Sequence, residues 1–99
     1  MSDFTETLHP HHLLELLEEV DRASFELDHF HTAIRAGKVW MIYRRQPHGW
    51  LKRIREWKGT RRSIYAALEE MGIEPSRAAE AQLDTLTENS FRVDDSEDA

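Results

Sequence analysis

Apolar residues recur every seven positions at Leu13, Val20, Leu27 and Ile34, with Leu16, Leu17, Ala23 and Phe30 interleaved three or four apart. A stripe of that period predicts one long helix over about residues 10–36. Pro10 suits a first helical turn, Glu15, Glu18 and Glu19 lie toward the positive end, and Gly37 supplies a stop. The seven-residue spacing favours coiled pairing with another helix. Leu13, Leu16, Val20, Leu27, Phe30 and Ile34 are therefore the candidate packing or dimerisation face. The other helix is either a C-terminal one or a second copy of the chain, which leaves a homodimer open.

The middle of the chain reads two ways. Residues 39–43 are β-branched and aromatic, and 46–49 (Gln-Pro-His-Gly) have proline and glycine placed for a turn. Beyond the turn, Trp50, Leu51, Ile54 and Trp57 fall at helical spacing, and neither face of a strand over the same residues is cleanly apolar. Periodicity prefers a short helix at 50–58 and leaves a β-hairpin over about 39–57 open.

Gly59-Thr60 ends that element, and Thr60 or Ser63 can cap a helix whose buried stripe is Ile64, Ala67, Leu68 and Met71. Gly72 closes it, and Ala78, Ala79, Leu83 and Leu86 give a small-residue stripe up to about Asn89. The expected fold is mainly α, a small helical domain over 1–92 with a long N-terminal helix. An acidic tail over 93–99 has too little apolar surface to fold.

Charge changes this picture from an architecture into an interaction surface. The chain of 99 residues has a net charge of -6, yet residues 35–62 carry ten bases against Glu56 alone. The segments before and after hold eight and ten acids against one and two bases. Trp40, Tyr43, Trp50, Trp57 and Tyr65 lie in or beside the basic run, a mixture that stacks on nucleobases or anchors a protein interface. The plainer alternative makes the aromatics core and the bases a solvated rim paired with flanking acids. The candidate partner-binding set is Arg44, Arg45, Trp50, Arg53, Arg55, Trp57 and Lys58.

Several classes of chemistry find no support. With no cysteine there is no disulfide or thiolate site, and no nucleophile elbow or phosphate-cradling loop occurs among only four glycines. A helix-turn-helix over 64–86 would place Glu80, Asp84 and Glu88 on its recognition helix, which phosphates would repel. Six histidines cluster as His9, His11 and His12, then His29 and His31, with His48 apart. Glu26 and His29 have the Glu-x-x-His spacing of a metal pair, but one such pair makes no complete site, so no metal or cofactor is expected. No apolar run approaches the roughly 20 residues of a membrane helix, and the acidic first residues do not form a targeting peptide. A cytoplasmic protein without membrane contact is expected.

The expectation is a non-catalytic accessory or regulatory protein that binds a partner protein through its basic aromatic surface and heptad-patterned helix. The alternatives are nucleic-acid binding by segment 35–62 and an acidic inhibitor or mimic that masks a basic surface.

Overall fold

The computed structural model describes residues 5–60 and 62–93, with side chains through residue 85. It overturns the helical expectation. The centre of the molecule is a five-stranded antiparallel sheet in the order β1-β5-β4-β3-β2, built from β1 (Thr7–Leu8), β2 (Arg22–Glu26), β3 (His31–Ala36), β4 (Val39–Arg45) and β5 (Leu51–Lys58). Three helices complete it: α1 (Pro10–Leu16), α2 (Ser63–Met71) and α3 (Arg77–Val93).

The long N-terminal helix over 10–36 is absent. Its residues divide into α1, a turn, β2 and β3, and two local features force the division. Asp21 takes φ 64°, a conformation no helix continues through. Asp28 then accepts from the N–H groups of Phe30 (2.8 Å) and His31 (2.7 Å), which folds the chain back between β2 and β3. The proposed stripe therefore scatters. Leu27 and Ile34 are buried on opposite faces of the sheet, Leu13 and Leu16 are half-buried, and Val20 (87%) and Phe30 (58%) are exposed. Within each strand the period is two: Ala23 and Phe25 face one way, and Ser24 and Glu26 the other.

The short helix at 50–58 is also absent, and β4 with β5 forms the hairpin that was the other reading of this segment. A register shift opposite Ile42 and Tyr43 explains the misleading spacing. Tyr43 pairs with Arg53 but Ile42 pairs with Arg55, so Ile54 is an extra residue in β5. Before this bulge the odd positions Leu51 and Arg53 face the α1 side. After it Arg55 and Trp57 face α2, and the two-residue alternation breaks into a pattern that imitates a helix.

Each face of the sheet has its own core. Phe25, Trp40 and Ile42 pack under Ile64 and Leu68 of α2 and Ala79 and Leu83 of α3. Leu8, Ile34, Met41, Tyr43 and Leu51 form the opposite core, closed by Leu13 and Leu16 of α1. The two C-terminal helices lie where the apolar stripes place them, and Gly72 ends α2 at φ 70°. The acidic stretch 94–99 lies outside the described residues. No helix among the described residues is long and apolar enough to cross a membrane.

Candidate partner-binding groove

Most of the expected binding surface is structural. Trp40 is fully buried, stacks on Trp57 at 6.2 Å and donates its indole N–H to the Thr60 carbonyl at 3.0 Å. Trp57 donates to Ser63 Oγ at 2.9 Å, and Ser63 donates to the same Thr60 carbonyl at 2.6 Å. The two indoles thus pin the start of α2 to the sheet. Tyr43 is buried in the other core, where its hydroxyl donates to the Thr5 carbonyl at 2.6 Å. Tyr65 donates to Asp84 on α3.

Acidic neighbours take up several of the bases. Arg53 pairs with Glu56 at 2.8 Å, and Arg55 pairs with Glu70 at 3.2 Å while lying 5.3 Å from the Trp57 ring centre. Arg45 approaches Glu26 at 3.9 Å, and Arg35 is buried over the Trp40 ring. Trp50 is 40% exposed but stands with His9 at an edge-on 5.0 Å, apart from the groove described below, and Lys58 lines a shallow depression with Lys38. The candidate set is not one surface: Arg53 points to the α1 face and Arg55 and Trp57 to the α2 face, Arg53 and Arg55 border a shallow depression with Glu6 and Glu56, and Arg44 and Arg45 share a separate cavity.

That cavity is a groove of about 710 Å³ at the far end of the sheet, lined by Phe30, Arg44, Arg45, Gln46, Pro47, Lys52 and Ile54. Its position follows from where the helices attach. Thr60 and Ser63 fasten α2 at the Trp40–Trp57 end, and no helical residue lines the groove near the β4–β5 turn. Across that end His31, Arg44 and Lys52 fall in register on three adjacent strands. Arg45 N donates to the Phe30 carbonyl at 2.7 Å, which makes His31 and Arg44 a non-hydrogen-bonded pair, the position where facing side chains come closest. Among the described residues neither Arg44 nor Lys52 has an ion-pair partner. Phe30 and Ile54 (41% exposed) supply apolar surface beside them.

His31 is oriented from behind. Its Nδ1 lies 2.9 and 3.0 Å from the two Asp28 carboxylate oxygens, so Nδ1 carries the proton shared with Asp28 and Nε2 is the nitrogen left for a ligand. Partial burial alone would push the Asp28 carboxyl up, but the hydrogen bonds from Phe30 and His31 and the His31 charge outweigh it and hold Asp28 below the usual carboxylate range.

Sequence reasoning missed Lys52, Ile54 and His31 as site residues and placed Phe30 in a helix face. The Asp28-to-His31 turn was the one local signal available, because Asp followed by backbone donors two and three residues on is a turn former. The lesser metal alternative, Glu26 and His29, lines a separate depression with Asp28 and Glu74. Among the described residues no three histidine or carboxylate side chains are arranged to hold a metal ion.

No protein-family model matches the chain, no curated protein matches it in sequence, and no solved structure matches it in fold.

Proposed function

We propose that this chain is a non-catalytic binding protein whose groove takes an acidic, amphipathic segment of a partner protein. The observation that carries the reading is the pairing of two exposed apolar side chains, Phe30 and Ile54, with the unmatched cations Arg44 and Lys52 in one groove that no helical residue lines. An apolar anchor beside complementary charge is how protein interfaces combine affinity with orientation. Nucleic acid is the poorer fit, because a stacking platform needs exposed rings and the central aromatics are largely buried in the core.

Selection of a random peptide display library on the intact chain tests the reading. Enriched peptides are expected to carry Asp or Glu next to a large apolar residue. They should lose at least about tenfold in affinity against an Arg44→Glu, Lys52→Glu variant, as for a truncated hot spot. Enrichment indifferent to that variant overturns the assignment. So does tighter binding of a single-stranded oligonucleotide than of the selected peptides, measured by anisotropy at low salt.

A further inference from the structure

Resting on that reading, we infer that the acidic group recognised by the groove is a phosphoryl group on the partner's side chain, held by His31, Arg44 and Lys52 together. The argument is one of donor count and charge. A carboxylate offers two oxygens and a single charge, and one arginine satisfies it in a bidentate pair. This end of the sheet presents three polar groups of different shape in a row, each fixed on its own strand: two cationic donors, guanidinium and ammonium, and the imidazole Nε2. A phosphoryl group, with a charge of about -1.5 to -2 near neutral pH, offers acceptor oxygens to Arg44 and Lys52 and, in its singly protonated form, a hydroxyl that can donate to Nε2, and so matches all three.

Asp28 equips His31 for this role. Its carboxylate accepts from Phe30 N, His31 N and His31 Nδ1, so three donors offset its negative charge instead of leaving it to face the groove. Arg44 stands directly across from His31 and Lys52 directly across from Arg44; Arg44 and Lys52 line the groove, and His31 occupies the neighbouring position on the next strand beside it. Phe30 and Ile54 add apolar contact for the residues beside a phosphorylated one, which a free anion could not use. Of the other arginines, Arg45 at the groove's edge, Arg53 and Arg55 each lie against a carboxylate, and the depression that Lys38 and Lys58 line offers no exposed apolar side chain beside them.

Three probes distinguish the outcomes in amide chemical-shift titrations of the full chain: a capped tetrapeptide with phosphoserine flanked by leucines, the same peptide with glutamate instead, and inorganic phosphate. The phosphoserine peptide is expected to shift Phe30, His31, Arg44 and Lys52 and to bind at least tenfold more tightly than either other probe. His31→Gln should narrow its advantage over the glutamate peptide severalfold, and Lys52→Gln, at an exposed position, should do the same without touching the Asp28 turn. Equal binding of the two peptides overturns the phosphoryl assignment and leaves the acidic groove standing. Inorganic phosphate binding as tightly as the phosphopeptide overturns it in favour of a free-anion site. Binding of none of the three removes both readings.

Discussion

Trp40 and Trp57 lie nearly parallel, 13° apart, across the β4–β5 pair, and both indole N–H groups end in the turn that starts α2. The stack therefore sets the position of the helical layer. Trp40→Ala should cost about 3–5 kcal/mol of unfolding free energy, as large-to-small changes at fully buried aromatics do. Ser63→Ala removes the acceptor for Trp57 and the donor to the Thr60 carbonyl and should cost about 1–3 kcal/mol. Urea denaturation followed by tryptophan fluorescence measures both, and a Trp40→Ala variant as stable as the parent would refute the pinning role.

Acid should weaken the fold partly through Asp28. Its carboxyl sits below the usual carboxylate range in the folded state, so the unfolded chain binds the proton first as pH falls. The stabilisation is present in full above the unfolded value near 3.9 and is lost as pH drops through the folded one. The urea midpoint of the parent chain should therefore fall more steeply below about pH 4 than that of Asp28→Asn. Parallel curves for the two would show that the turn carboxylate is not linked to stability.

Base should act through Tyr43. Burial pushes its phenol up, against the opposing pull of the Arg53 charge and hydrogen bond, while Glu56 adds to the rise. A raised folded value means stability is complete below the unfolded value near 10 and is lost as pH climbs through the folded one. Tyr43→Phe should cost about 1 kcal/mol at neutral pH through the lost bond to Thr5, and its stability should decline less between pH 9 and 12. Spectrophotometric titration of the two tyrosines supplies the check.

Phe30→Ser and Ile54→Ser separate binding from folding. Both side chains are exposed, so each change should leave unfolding free energy within about 0.5 kcal/mol of the parent. Either should weaken the peptides selected on the parent chain by about tenfold or more. A large loss of stability in either variant would mean that the groove is part of the core.

How far the sequence spoke for the fold differs by segment. Ile64, Ala67 and Leu68, with Gly72 after them, describe α2 without ambiguity, because a helix that packs on one side keeps its period to the end. Residues 13–34 misled because two short strands on a turn can place apolar residues seven apart by coincidence: Leu27, just after β2, is buried in one core and Ile34 in the opposite one. What decided against a helix was two aspartates at 21 and 28, whose turn geometry no hydrophobic count registers. The extra residue at Ile54 did the same for β5.

For the candidate site, Arg44 and Arg45 were legible as bases beside a turn. Lys52, Phe30 and His31 were not. Their proximity depends on the strand register, which pairs residues 31, 44 and 52 across three strands from separations of 13 and 8 in sequence. Carboxylates remote in sequence also decided which bases stay unmatched: Glu70 lies 15 residues from the Arg55 it neutralises.

Among themselves, strands β2 to β5 pair only with their sequence neighbours, so each hairpin can form from a short closed loop. The two-residue β1 instead meets β5 through Thr7–Lys52 and Leu8–Leu51, far along the chain. Closing that loop has a high entropic cost relative to two pairs of contacts, so it belongs to the end of folding and the start of unfolding. The segment from Thr7 through α1 is then the first part of the molecule to open, and it takes Leu8, Leu13 and Leu16 off one core while Trp40 and Trp57 stay packed in the other. Native-state hydrogen exchange would see this as early loss of protection in β1 and along the outer edge of β5, with the amides between β3 and β4 exchanging last.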